Sequence, residues 1–199
     1  MKRFLMLFLL LAASTCATGQ ENKTRVIFGE LWLGGAGDGL GTGANINYQR
    51  GIHLFTARTS LLAGLPILDS LFLPPDREID RQRTREFAIL YGPRITGKGL
   101  SLSVSMGVSQ NFHSASIVDE DDKYLGEESL RYVGIPFEVN LKFFKRRKIP
   151  YHIYGVFPVG GPTAFGRSFG LKVFADLRRG GYAGFAFTIG WGVHKKYTE

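Results

Sequence analysis

The chain is poor in cysteine and in long apolar runs. One of its 199 residues is a cysteine, Cys16, so no intrachain disulfide can form. The most apolar stretch, residues 4–13, has ten residues, whereas a membrane-spanning helix needs about 20. No later segment has 18 consecutive apolar residues. These absences exclude a disulfide-stabilised fold and a helical membrane protein.

The N-terminus has the order of an export signal. Two basic residues precede the apolar run, and small residues follow it. Residues 17–19 (ATG) are small at the two positions that a signal peptidase reads, so we predict that residues 1–19 are removed. Lipoprotein processing at Cys16 is the alternative. No Pro- or Ser-rich linker divides residues 20–199, which are predicted to form one domain.

Residues 182–193 (YAGFAFTIGWGV) alternate strictly between large apolar and small or polar side chains. A β-strand sends successive side chains to opposite faces, so one face of this strand is bulky and apolar. Seven further segments repeat the pattern. Together the predicted strands are 25–35, 40–49, 52–62, 84–95, 100–109, 130–143, 168–177 and 182–193.

A ninth segment, 151–157, is short and mixed in character. Single-chain bacterial barrels close with even numbers of strands. We therefore predict eight strands, with residues 144–167 as a long excursion between two of them. Ten strands is the alternative. Pro136 lies within a predicted strand and lacks the N–H of a ladder bond, which predicts a bulge there.

The face opposite the bulky one carries charges. It has four acids and four bases: Glu30, Glu86, Glu138, Asp176, Arg58, Arg94, Lys142 and Lys172. An unpaired buried charge costs several kcal/mol, so an equal count is what a closed, self-neutralised lumen requires. The interior of an eight-stranded barrel is just wide enough for its own side chains. We predict a transmembrane antiparallel up-and-down barrel with a plugged, charge-balanced lumen and no open channel.

The bulky apolar face is then predicted to contact lipid. The residues predicted to face lipid are Leu102, Val104, Phe137, Val139, Phe185, Phe187, Ile189 and Trp191. Removal of Lys2 and Arg3 with the signal lowers the formal net charge from +8 to +6, and this positive excess favours contact with anionic lipid headgroups. The basic cluster at residues 145–148 has no accompanying face of stacking aromatics, so no nucleic-acid partner is predicted.

The export signal, the alternating strands, the segment 134–139 (GIPFEV) and the closing pair 170–176 and 182–192 resemble the small outer-membrane β-barrel proteins of Gram-negative bacteria. Outer membrane proteins A and X typify this group. The resemblance implies an eight-stranded barrel in the outer membrane with membrane lipids as partners. It implies fold and location far more than activity.

Two polar segments, 64–83 and 111–129, are predicted as long loops at the barrel end opposite the termini, where an extracellular partner would bind. The second contains the acidic run 119–122, which is weighed as a calcium site. Its spacing lacks the glycine and alternating ligands of such a loop, so a solvated acidic loop is favoured. The glycine-rich segment 34–43 has no following helix to hold a phosphate and is predicted as a hairpin. No metal or cofactor is predicted.

The function predicted from these features is non-enzymatic: envelope integrity or partner binding through the outer loops. A lipid-modifying hydrolase or acyltransferase is the first alternative, because His113, Ser114 and Asp119 lie near a predicted rim. A small pore is the second, and the balanced lumen charges disfavour it. A soluble exported barrel that binds a hydrophobic ligand, with its bulky faces turned inward, is the third.

Overall fold

A computed structural model describes residues 25–37, 39–64, 82–118, 124–153, 157–178 and 181–196. The described chain is all β. Its strands are β1 (Arg25–Ala36), β2 (Gly39–Arg50), β3 (His53–Gly64), β4 (Gln82–Thr96), β5 (Leu100–Val118), β6 (Tyr124–Gly134), β7 (Pro136–Phe144), β8 (Ile149–Ile153), β9 (Phe157–Thr163), β10 (Phe165–Asp176) and β11 (Ala183–Val193). Among these residues, no helix is long and apolar enough to cross a bilayer. The predicted signal, residues 1–19, lies outside the described ranges and stays a prediction.

The strands close into an antiparallel barrel. Each of β1 to β5 pairs with the next strand in sequence, β10 pairs with β7 and β11, and β11 closes the ring on β1. The register at the closure places Leu31 opposite Ile189. Strand β5 pairs with β7 along its first part and with β6 along the rest, so β6 and β7 are two halves of one wall strand. The predicted closed barrel of eight wall strands is confirmed.

The interruption between β6 and β7 falls at Ile135, beside the predicted bulge. Pro136 has no N–H for the ladder. The Ile135 N–H is instead bonded to Asp176 Oδ1 at 3.1 Å, and the Leu177 N–H is bonded to the Ile135 carbonyl at 3.0 Å. A side-chain carboxylate thus replaces a ladder acceptor where β6 gives way to β7.

Strands β8 and β9 form a separate two-stranded hairpin between β7 and β10. This hairpin occupies the predicted excursion 144–167. The ten-strand alternative is wrong, because β8 and β9 pair with each other and are not part of the wall.

The predicted loop 111–129 is too long. Strand β5 continues to Val118 and β6 begins at Tyr124, with a ladder between them. The strict alternation that marks a strand is lost in residues 111–118 (NFHSASIV), where polar and apolar residues are mixed, although the backbone pairing continues. Only residues 119–123 separate the two strands, and they lie outside the described chain. The other predicted loop is 64–83. Strand β3 reaches Gly64 and β4 begins at Gln82, and residues 65–81 between them also lie outside the described chain.

The two ends of the barrel differ. The terminal end holds the start of β1, the end of β11, the short connections after β2 and β4, and the β8–β9 hairpin. The loop end holds the connections after β1, β3, β5 and β10. The connection after β2 is a two-residue turn in which Gly51 has a φ of 62°, a conformation that suits glycine.

Candidate functional site

The outer wall is apolar. Ile89 is 68% exposed and Phe187 is 65% exposed, although both are large hydrophobic residues. All eight residues predicted to face lipid lie on outward rows. Leu102, Phe185, Phe187 and Ile189 are exposed, and Val104, Phe137, Val139 and Trp191 are half-buried against their neighbours. A barrel with its bulky faces turned inward is therefore not the arrangement found.

The apolar rows have the height of a bilayer core. Strand β11 (Ala183–Val193) has 11 residues, all of whose outward positions are apolar. At a rise of about 3.3 Å per residue and a tilt of about 45°, such a strand spans roughly 25 Å along the barrel axis. Bacterial membrane barrels carry an apolar band of about 25 Å.

Charged side chains on the outward rows of the described strands lie toward the two ends of the barrel. Arg25, Arg50 and Arg167 lie toward the terminal end. Arg83, Arg85 and Arg131 lie toward the loop end. The middle of the wall is left to hydrocarbon, where a basic side chain in lipid would cost about 2–4 kcal/mol.

Aromatic rings flank the apolar band. Near the terminal end, the ring centroids of Phe55 and Tyr91 are 5.1 Å apart, and those of Phe143 and Phe169 are 5.4 Å apart. Near the loop end, Phe87 meets Phe112 edge-on at 6.3 Å. Aromatic girdles at both edges of an apolar band are typical of barrels that cross a membrane.

The lumen holds a chain of ion pairs. Six of the eight predicted lumen charges are joined in the order Glu86, Arg58, Glu138, Lys172, Glu30 and Lys142, with acid and base alternating. Arg58 lies 2.8 Å from Glu86 and 3.1 Å from Glu138. Lys172 lies 3.3 Å from Glu138 and 2.8 Å from Glu30. Lys142 pairs with Glu30 at the other end of the chain.

This ion-pair chain is buried and braced by amides. Each of its six members is at most 3% exposed. Asn45 donates to Glu138 at 3.4 Å, and Asn140 donates to Glu30 at 3.3 Å. The six charges come from β1, β3, β4, β7 and β10, so the chain ties non-neighbouring strands together across the lumen.

The other two predicted lumen charges lie apart from the chain. Arg94 donates to Ser101 Oγ at 3.0 Å, to the His194 carbonyl at 3.1 Å and to Gln49, and its guanidinium lies 4.7 Å from the Phe28 ring centroid. Asp176 accepts from Asn111 at 3.1 Å and from the N–H groups of Ile135 and Arg178. Gly134 faces this carboxylate, and a Cβ there would lie 2.0 Å from Asp176 Oδ2. The structure therefore brings six of the eight together.

A layer of packed rings lies on each side of the ion-pair chain. Toward the loop end, Trp32 packs on Phe174 with ring centroids 4.9 Å apart, joined by Ala36, Leu62 and Ala186. Toward the terminal end, the His194 ring lies 5.1 Å from Phe28 and 5.7 Å from Phe144. The ion-pair chain thus lies between a loop-end layer of packed rings and a terminal-end layer of rings that also holds the Arg94 guanidinium.

Four residues of this interior were assigned no role from the sequence: Asn45, Asn140, Tyr182 and His194. Each is at an inward position of the alternating pattern, and Tyr182 was the one large residue on an otherwise small face. The Tyr182 hydroxyl donates to Glu86 just before β11 begins, and burial together with the Glu86 carboxylate raises the pKa of Tyr182. Just after β11 ends, burial and the nearby Lys142 and Arg94 lower the pKa of His194 to about 3.

The residues considered for hydrolase chemistry are not assembled in the described chain. His113 Nδ1 is 2.9 Å from Thr84 Oγ1. Ser114 follows His113 within β5, so the two side chains point to opposite faces of the sheet. Asp119 and the acidic run 119–122 lie outside the described residues. Within the described ranges, no group of three or more His, Cys, Asp or Glu side chains forms a metal site.

No family model matches this chain, and no curated protein matches it. Solved structures with a similar fold include Neisserial surface protein A, with a TM-score of 0.51 at 7% identity over 85% of this chain and 96% of that chain. The N-terminal β-barrel domain of Pseudomonas aeruginosa OprF has a TM-score of 0.49 at 12% identity, over 85% and 99% of the two chains. Ail of Yersinia pestis, in complex with the heparin analogue sucrose octasulfate, has a TM-score of 0.48 at 8% identity, over 84% and 97%. The likeness to the Neisserial protein agrees with the closed eight-stranded barrel.

Proposed function

We propose that this protein is an integral outer-membrane β-barrel of a Gram-negative envelope, exported by residues 1–19. It acts without catalysis, through its loop end, in envelope integrity or in binding a partner outside the cell. The segments 64–83 and 111–129 contain the proposed contact region. The observation that carries the proposal is the distribution of side chains, apolar on the outer wall and ionic in the interior.

The outer wall supports the membrane location. A protein in water would expose the rows that include Phe187 and Ile89 at a cost of about 25 cal/mol for each Å² of apolar surface left unburied. Acyl chains remove this cost. Aromatic pairs lie at both edges of the apolar band, and the outward arginines lie toward the two ends of the barrel. These positions match the interfacial zones of a bilayer.

The buried ion pairs in the lumen support the proposal that the barrel has no open channel. The ion-pair chain crosses the interior between two layers of packed rings, and all of its members are buried. Water and ions would have to separate these pairs in order to pass. We therefore propose a plugged lumen.

Membrane fractionation with heat-dependent gel mobility tests the location. The mature chain is expected in the outer-membrane fraction, and an unheated sample is expected to migrate differently from a boiled one because a closed barrel resists detergent. Recovery in the soluble periplasmic fraction without detergent would overturn the proposal. The mass of the purified chain tests cleavage after Gly19, and a lipid-modified Cys16 would contradict it.

Planar bilayer recordings test the plugged lumen. The wild-type protein is expected to give no conductance above background. The R58A/E138A double variant removes two central side chains and is expected to admit ions. Steady wild-type conductance would sink the plugged-lumen proposal and leave the membrane location standing.

A further inference from the structure

The β8–β9 hairpin encloses a cleft at the terminal end of the barrel. The cleft lies between the hairpin and the start of β10 and has a volume of about 160 Å³. One part of its wall is polar and basic, with Lys145, His152 and Arg167. The other part is apolar, with Ile149, Pro150 and Phe165. None of these residues belongs to the lumen or to the proposed contact region.

Hydrogen bonds set the shape of the polar wall. His152 Nδ1 lies 2.8 Å from the Pro150 carbonyl, which can only accept, so this nitrogen carries the proton. Arg167 Nη2 donates to the His152 carbonyl at 3.4 Å. The guanidinium and the imidazole are thus both tied to one short piece of backbone at the cleft.

The described surroundings of the cleft are basic. Residues 139–175 contain no Asp or Glu. Within the described chain, every charged side chain exposed at the terminal end is a cation: Arg25, Arg50, Lys98, Lys145, Arg146, Arg147, Arg167 and Lys196. Their summed field attracts an anion to this end of the barrel.

The hairpin also exposes large apolar side chains next to these cations. Phe157 is 65% exposed and Ile153 is 44% exposed. A surface with cations beside exposed aromatic and aliphatic groups is typical of segments that lie at the boundary between lipid headgroups and acyl chains. A free phosphate would use only the basic part of this surface.

We propose that the cleft binds the phosphate headgroup of an anionic phospholipid in the leaflet at the terminal end of the barrel. Arg167 and Lys145 contact the phosphate, and Ile149 and Phe165 contact the adjoining glycerol and upper acyl carbons. Sites that enclose a whole drug-sized ligand have volumes of about 300–1,000 Å³. The smaller cleft therefore takes the headgroup and leaves the acyl chains to the neighbouring Phe157 and Ile153.

Calorimetric titration of the full mature chain in an uncharged detergent tests this site. The probes are dihexanoylphosphatidylglycerol, dihexanoylphosphatidylcholine and inorganic phosphate. The anionic lipid is expected to bind more tightly than the other two. The K145Q/R167Q variant is expected to weaken its binding about tenfold or more, because two charge-assisted hydrogen bonds are lost.

The matched control is R83Q/R85Q, which removes two outward arginines at the loop end. Its affinity for the anionic lipid is expected to stay within about twofold of wild type, since the distance exceeds the Debye length of about 8 Å at physiological ionic strength. Equal weakening by both double variants would indicate a general charge effect and overturn the site. Equal binding of inorganic phosphate would overturn the lipid assignment.

Circular dichroism of each variant shows whether the barrel is folded. If K145Q/R167Q does not fold, the hairpin substitution F157S serves instead, since it removes exposed apolar surface without touching a charge. F157S is expected to weaken lipid binding and leave the affinity for phosphate unchanged, and unchanged lipid affinity would contradict the proposal. Failure of this site leaves fractionation and conductance unaffected, so it is distinguishable from failure of the proposed function.

Discussion

Arg58 is the position at which the ion-pair chain is most sensitive. Its guanidinium is bonded to Glu86 and Glu138, and the side chain has no solvent exposure. Replacing Arg58 by Met keeps much of the volume and removes the charge. Two carboxylates then lose a partner in the lumen.

The expected cost follows from the burial of those carboxylates. Removing one member of a buried ion pair costs about 3–5 kcal/mol, because the remaining charge is left uncompensated. Glu138 keeps Lys172 at 3.3 Å and the amide of Asn45. Glu86 keeps the hydroxyl groups of Tyr182 and Ser60. We therefore expect R58M to lower the free energy of unfolding by about 3 kcal/mol, the lower end of that range.

The double variant R58M/E86Q separates charge from packing. It removes one acid and one base, so the lumen stays balanced and Glu138 still contacts Lys172. It is expected to be more stable than R58M by about 1–3 kcal/mol, since an uncompensated buried charge is gone. The control R50M removes an exposed arginine at the terminal end and is expected to change stability by less than about 0.5 kcal/mol.

Urea titration of the barrel folded in lipid vesicles measures these differences. The two tryptophans provide the fluorescence signal. If R58M matches R50M, the ion-pair chain is not a stabilising element of the lumen. If R58M/E86Q loses the sum of both single variants, the two side chains act independently and the pairing in the structure is irrelevant to stability.

Three further substitutions test other parts of the barrel. F187R places a cation in the middle of the outer wall and is expected to cost about 2–4 kcal/mol in vesicles, whereas a soluble barrel would tolerate it at this exposed position. G43A adds a Cβ that would lie 2.6 Å from the Trp32 ring and 2.2 Å from the Thr59 carbonyl, so folding yield in detergent should fall. The low pKa of His194, about 3 against an ordinary 6.5, favours its neutral form in the folded state. The stability that neutral His194 contributes is complete above pH 6.5 and is lost as the pH falls toward 3. Wild type should therefore lose about 2 kcal/mol of unfolding free energy between pH 8 and pH 5, and H194F should not lose it. The difference in urea midpoints between these two pH values measures the loss.

Period-two alternation predicted the walls of the barrel because it reports directly which face a side chain occupies. Glu30 and Lys172 were predicted to point inward only from their positions in the alternating pattern. The same pattern predicted that Phe185 points outward. The pattern could not show which inward charges meet, since that depends on the shear of the barrel and on strands far apart in sequence. Arg94 and Asp176 belong to the same inward set as Glu138 but make other contacts.

The pattern failed where polar and apolar residues do not alternate. Residues 111–118 continue β5 without apolar alternation, so a loop was predicted there. The β8–β9 hairpin was also missed as a unit, because the short mixed segment 151–157 gives only part of its sequence signal. The ladder hydrogen bonds that hold both features are backbone contacts, which side-chain periodicity does not report.

The alternating order of the ion-pair chain restricts how the lumen can change over generations. An internal member such as Arg58, Glu138, Lys172 or Glu30 has an opposite charge on each side, so its loss removes an ion pair from two groups. Glu86 and Lys142 stand at the two ends, and each leaves only one. Among descendants of this sequence, the charges at the two ends of the ion-pair chain should therefore be lost first, or a neighbouring acid and base should be replaced together. The four internal charges are expected to be inherited as a set.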